Sequence, residues 1–305
     1  MIVFATSDKG GTGRSVTSSN VIYRSALHGA NVCYLDFDFG SPTAGAIFNL
    51  GTVLRGTESK GLHSYLHGEV SEPAQLDVWT ESERETLRRR PVGAGRLVLF
   101  PGDASGGEFV NNDEIVRRCS RLFQRLDEEY ELCLVDLSAG RSYALEMVLA
   151  TLTCRAMRGV ESRWLVFHRW TRQHILAAAG LVYGPMGLIE AGAERGLDRT
   201  SLQRSIRFVR TAVINPDSPD LSVLRPAQVV WLRTCHRELL DLTSSHQLGR
   251  TVTLGDVPLD PILQWREQLI SDEDVDGQIA NARTATAFDS LARALIDDAA
   301  WGDRL

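Results

Sequence analysis

Residues 8–15 read DKGGTGRS, three glycines and two basic residues ending in a hydroxyl. A run like this, set between a strand and a helix, turns consecutive backbone N–H groups onto an anion at the positive end of the helix. Gly10, Gly11 and Gly13 supply the flexibility and Thr12 completes the turn. The apolar stretch IVFATS (2–7) precedes them and the helix-compatible run 14–27 follows, which is the context a phosphate-binding loop requires. Ser15 stands where such loops place a hydroxyl on Mg2+. The chemistry to expect is phosphate binding. Two positions depart from the usual loop: Arg14 replaces a lysine, and Val16 replaces a second hydroxyl that helps at the α-phosphate. Arginine keeps the charge, but its planar fork is bulkier than an ammonium and less easily held in a tight backbone cradle.

The elements that must position this loop alternate along the chain. Apolar runs at 31–38, 96–102, 130–137, 162–168, 206–214 and 250–254 read as strands. Longer helical patterns lie between them, including 114–130 and 226–242. Strands that are apolar throughout, alternating with helices, predict a three-layer α/β fold: a mostly parallel twisted sheet with helices on both faces. The polar region 51–95 reads as an irregular insertion or variable lobe within a single 1–305 domain.

With 305 residues, 43% hydrophobic and 24% charged, the composition is that of an ordinary globular chain. The net charge of −6 disfavours nucleic acid, whose binding rests on neutralising phosphates. Lys9 and Lys60 are the only lysines, and the arginine skew reads as base composition. The five cysteines form no CxxC pair. No leader is expected, no stretch is expected to approach a membrane span, and the expected location is the cytoplasm.

The string KGGTGRS resembles the deviant Walker A loop of the ParA/MinD group of ATPases, K-G-G-x-G-K-[ST]. It is also similar to the loop of a small actinobacterial family of variant P-loop proteins with a GGTGRS form. Further segments follow in the order of the ParA/MinD group. YLDFDFG (34–40) resembles its switch I with Asp36 and Asp38, and LVDLSAG (134–140) its Walker B strand and switch II with Asp136 and Gly140. LVLFPGD (97–103) resembles the strand that ends in proline, AVINPDSP (212–219) the segment carrying an adenine-side asparagine, and VPLDPILQ (257–264) the I-P-x-D-P segment.

The resemblance implies the following site. Lys9 would reach phosphate, often across to a partner subunit's nucleotide, and Asp38 would position the attacking water. Gly10, Gly11, Thr12, Gly13, Arg14, Ser15, Val16, Asn215, Pro258 and Asp260 would hold ATP or ADP. Ser15, Asp38 and Asp136 would hold Mg2+. The implied activity is a nucleotide-dependent homodimerisation switch, with hydrolysis slow or absent because of Arg14. The alternative is a non-hydrolysing scaffold that recruits an unidentified partner protein. A ligase of a related branch is a third reading, and it lacks a recognisable substrate pocket.

Other constellations carry less. His63 and His67 have metal-ligand spacing without a third ligand, and His168 and His174 flank a strand end. The arginine runs at 88–90 and 117–125 are diluted by Glu83, Glu85, Glu114, Glu128 and Glu129. The tail carries Asp289, Asp297, Asp298 and Asp303, unlike the basic membrane helices of MinD-type proteins, so membrane binding is not expected.

Overall fold

The computed structural model describes residues 1–218 and 221–302; Pro219 and Asp303, named in the motifs above, lie outside the described residues. Eight strands form one sheet: β1 (Ile2–Thr6), β2 (Val32–Phe37), β3 (Leu76–Asp77), β4 (Leu97–Phe100), β5 (Leu132–Leu137), β6 (Ser162–Arg169), β7 (Ile206–Val213) and β8 (Thr253–Pro258). Their order is β3-β4-β2-β5-β1-β6-β7-β8. All pairs are parallel except the short β3–β4 edge. β1, β5 and β2 lie side by side, as the site requires.

Period-two alternation explains the three layers. Ile2 and Phe4 of β1, Cys33 and Leu35 of β2, and Cys133 and Val135 of β5 point to one face. There they pack with Ile115, Phe123, Val148, Leu181 and other apolar residues of the helices Asp113–Glu129, Tyr143–Leu152 and Arg172–Tyr183. Val3, Ala5, Val32, Tyr34, Leu132 and Leu134 point to the other. That face is covered by the helices Arg14–Leu27 and Ala282–Ile296 through Val21, Ile22, Phe288 and Leu291. These three central strands are therefore apolar on both sides, as expected for a parallel sheet covered twice.

The same alternation has a functional consequence. Asp36 and Asp136 share parity with Tyr34 and Leu134, so they face the helix that begins at Arg14.

Three expectations are corrected. The last strand lies at 253–258, later than the 250–254 apolar run, and it includes Gly255 and Asp256. The region 51–95 contributes a strand, β3, and the helices Leu62–His67 and Val78–Glu81. Contrary to the expectation of no membrane-length stretch, Arg172–Glu194 is long and apolar enough by composition, at mean hydropathy 1.4. It consists of two helices, Arg172–Tyr183 and Leu188–Glu194, and half of the apolar window is buried in the protein.

Candidate phosphate-binding site

The loop after β1 has the backbone that its glycines allow. Gly11 and Gly13 have φ of 70° and 75°, in the left-handed region that L side chains rarely adopt. Helix Arg14–Leu27 then starts with no side-chain cap and no acidic residue in its first turn. By contrast, helix Asp113–Glu129 is capped by the Asn112 side chain and has Asp113 and Glu114 in its first turn. The first helix thus leaves its N-terminal N–H groups for something outside the protein's own side chains. A Cβ built on Gly10 or Gly11 meets nothing within 4 Å, so the loop is uncovered at both positions.

Arg14 itself lines a smaller cavity of about 290 Å³ with Gly10, Gly11, Gly13, Ser15 and Asp38, and its guanidinium is held there by carboxylates. Its side chain is 6% exposed and reaches carboxylates at the ends of β2 and β5. Nε donates to Asp136 Oδ1, Nη2 donates to Asp38 Oδ2 at 2.9 Å and to Ser15 Oγ at 3.3 Å, and Nη1 donates to Ser7 Oγ at 3.4 Å. The other Asp136 oxygen accepts from Tyr34 OH at 2.7 Å. Burial by itself would lower the Arg14 pKa, but Asp136 and Asp38 raise it, so the guanidinium stays charged. Asp38 is raised by burial and pulled back down by Arg14.

Asp36 sits directly across the ladder from Asp136. Burial, and then the Asp136 charge, push its pKa up to about 8, so it is mostly protonated near neutrality. Its oxygens accept from Ala44 N at 2.9 Å and Asp38 N at 3.3 Å, which anchors the chain after β2.

The expected Mg2+ ligands, Ser15, Asp38 and Asp136, are thus brought together, and what they share is the Arg14 guanidinium. As a donor set they do not fit Mg2+. Mg2+ demands near-octahedral oxygen ligation at about 2.0–2.1 Å, and here one Asp136 oxygen is held by Arg14 and the other by Tyr34.

Six of the remaining expected residues line a cleft of about 820 Å³ that opens from the loop. Gly11, Thr12, Gly13 and Val16 form one side, and Pro258 and Asp260 line the far end. Asp260 is buried and accepts from Asn281 N at 3.0 Å and Thr284 Oγ1 at 2.7 Å, so it ties the end of β8 to the last long helix. Asn215 lies in an adjoining cavity with Pro258, where its Oδ1 accepts from Asp217 N. Lys9 is exposed, and its charge lies close enough to His174 to help burial lower that histidine's pKa. Gly140, at φ 77°, donates its N–H to Ser7 O at 2.7 Å.

Several residues that the motifs did not indicate complete the site. Thr211 Oγ1 donates to the Thr12 carbonyl at 2.5 Å and so fixes the loop against β7. Beside it Ala212 has φ 51°, a strained value for a residue with a Cβ, at a β-bulge on the cleft wall. Trp265, Arg266 and Glu267 form the opposite wall. The segment after them is held to the loop's own helix: Asn20 Nδ2 donates to Gln268 O at 3.0 Å, Ile270 N donates to Asn20 Oδ1 at 2.7 Å, and Arg24 Nη2 donates to Ile270 O at 2.9 Å. His63 packs edge-on against Phe39 and Phe109 and uses Nε2 on Gly107, a structural role.

A glycine loop at the carboxyl end of the first strand, with two carboxylates brought beneath it from neighbouring parallel strands, defines a P-loop α/β fold of the MinD/ParA ATPase type. The chain is similar in structure to MinD of the MinC:MinD cell division complex from Aquifex aeolicus, with 16% identity over 97% of this chain and 95% of that one, and a TM-score of 0.62. It is similar to a plasmid partition protein from Borrelia burgdorferi bound to AMPPNP, at 11% identity, 97% of each chain and 0.60. It is also similar to the septum site-determining protein MinD complexed with Mg-ADP from Pyrococcus horikoshii, at 15% identity, 98% and 96% coverage and 0.57. No family model matches the chain. No curated protein matches it either.

Proposed function

We propose that this chain is a nucleotide-binding protein whose ATP- or ADP-bound states control self-association, with slow or absent hydrolysis. The observation that carries this reading is the uncapped helix N-terminus behind an open glycine loop, facing a cleft of a size that holds a small ligand. Gly10–Ser15 would receive the phosphates, and Val16, Asn215, Pro258 and Asp260 would border the sugar and base. Exposed Lys9 would remain free to reach a nucleotide, including one in a second copy. The similar structures are complexed with AMPPNP or Mg-ADP, or assembled with MinC, which supports this kind of use.

Slow turnover follows from the position of Arg14. The charge that would stabilise phosphoryl transfer is committed to Asp136 and Asp38. A second reading, a non-hydrolysing scaffold that recruits a partner protein in the cytoplasm, rests on that same commitment. The net charge of −6 supports neither DNA nor an anionic membrane as that partner.

The test is titration of ATP and ADP by calorimetry, with oligomer size measured in each state. It is paired with steady-state ATP hydrolysis by wild type and Arg14→Lys. Binding with turnover far below about 1 s⁻¹ supports the reading, and ordinary turnover in the wild type refutes the impaired-site part of it.

A further inference from the structure

We propose that the Arg14 guanidinium permanently replaces the divalent cation of this site, so that nucleotide binds to it without Mg2+. This rests on the nucleotide-binding reading above. Three groups that a P-loop of this kind would offer to a metal, Ser15 Oγ, Asp38 Oδ2 and Asp136 Oδ1, all accept hydrogen bonds from this one side chain. Four donor contacts hold the fork, and Tyr34 OH closes off the second Asp136 oxygen.

The substitution is chemically coherent. A planar guanidinium presents its N–H groups in a fixed fork that can satisfy two carboxylates at once, and it keeps its charge at any physiological pH. A lysine ammonium at position 14 would be a compact point charge without the side-on Nε donor that meets Asp136. For Mg2+ to enter, a guanidinium that is 6% exposed would have to leave Asp136, which is 2% exposed. The ion taking its place would have to match a buried, charge-assisted contact that the guanidinium already makes. Mg2+ also sheds its water reluctantly, and the second Asp136 oxygen would have to give up Tyr34 as well. The loop's N–H groups do not take part in this arrangement and remain available to phosphate. Among the described residues, no group of three or more His, Cys, Asp or Glu side chains offers another metal site.

The experiment is calorimetric titration of wild type with ADP, once with excess Mg2+ and once with EDTA. The expected result is dissociation constants within about threefold of each other, a difference of under about 1 kcal/mol. Binding that tightens about tenfold or more with Mg2+ overturns the proposal. A second measurement titrates Mn2+ into the nucleotide-free protein and follows the free-ion signal by electron paramagnetic resonance. Wild type should leave that signal unchanged, whereas Arg14→Ala should bind Mn2+ on the exposed carboxylates. If Arg14→Ala does not fold, Arg14→Lys takes its place. Equal Mn2+ binding by wild type and variant, or none by the variant, overturns the proposal. Absence of ADP binding in both buffers defeats the nucleotide-binding reading, and the Mn2+ comparison then decides the fate of the cation replacement independently.

Discussion

Replacing Arg14 with methionine would withdraw the guanidinium while keeping much of the side-chain volume. The cost falls mainly on Asp136, which is 2% exposed and would retain only the Tyr34 hydroxyl; Asp38, at 26% exposure, can turn to water. Removing one partner of a buried ion pair typically costs about 3–5 kcal/mol, because the other charge is stranded. Asp136→Asn alone is milder, at about 1–3 kcal/mol, since an amide oxygen can still accept from Nε. The double variant strands no charge on Asp136. It should therefore be more stable than the sum of the single effects by about 2–4 kcal/mol. The assay is urea unfolding of the four proteins at neutral pH, read from transition midpoints at constant slope. Additive effects, or a loss below about 1 kcal/mol for Arg14→Met, would refute the claim that this pair is the buried hub of the site.

Three further outcomes are expected. Thr211→Val keeps the shape but leaves the buried Thr12 carbonyl without its donor; it should cost about 1–3 kcal/mol in urea unfolding and speed amide exchange across residues 10–14, and unchanged exchange would count against it. Burial holds His168 down at about 4 from an ordinary 6.5, so the unfolded chain binds its proton first. Stability should then fall as pH drops from about 6.5 to 4, by up to about 3 kcal/mol relative to His168→Gln, and parallel pH profiles would refute this. In Gly45→Ala the new Cβ would lie 2.0 Å from the Val53 carbonyl oxygen, a backbone atom that cannot swing away. This variant should lose about 3 kcal/mol or more, and wild-type thermal stability would show the contact to be yielding.

The sequence was most informative where the physics is local. The apolar runs of β1, β2, β5, β6 and β7 announced themselves because both their faces are buried, and the glycines at 10, 11 and 13 announced a loop because no other residue so readily adopts its backbone. β8 was misplaced because this edge strand is only partly buried, so its apolar pattern is broken by Gly255 and Asp256. β3 was missed because two residues carry no period. The direction of Arg14 was not legible either. Its partners lie 24 and 122 residues away, and only the parity of β5 against the first helix brings Asp136 under the loop. Trp265, Arg266 and Glu267 sit in a short segment with no motif, and they reach the cleft only because Asn20 and Arg24 fasten the chain behind them.

That fastening also sets an order of events during synthesis. The loop, Asp38 and Asp136 all belong to the first half of the chain, whereas the Asn20 bonds reach Gln268 and Ile270, 248 and 250 residues further on. At a translation rate of about 5–20 residues per second, the ribosome needs roughly 7–27 s to travel from Asp136 to Ile270. Through that interval the nascent chain carries a phosphate loop whose helix still lacks the partners for Asn20 and Arg24 and whose cleft has a single wall. Contacts closed over so long a loop form late and slowly. The cleft is therefore a property of the finished polypeptide, and fragments ending before residue 260 should be clients for chaperones and not for nucleotide.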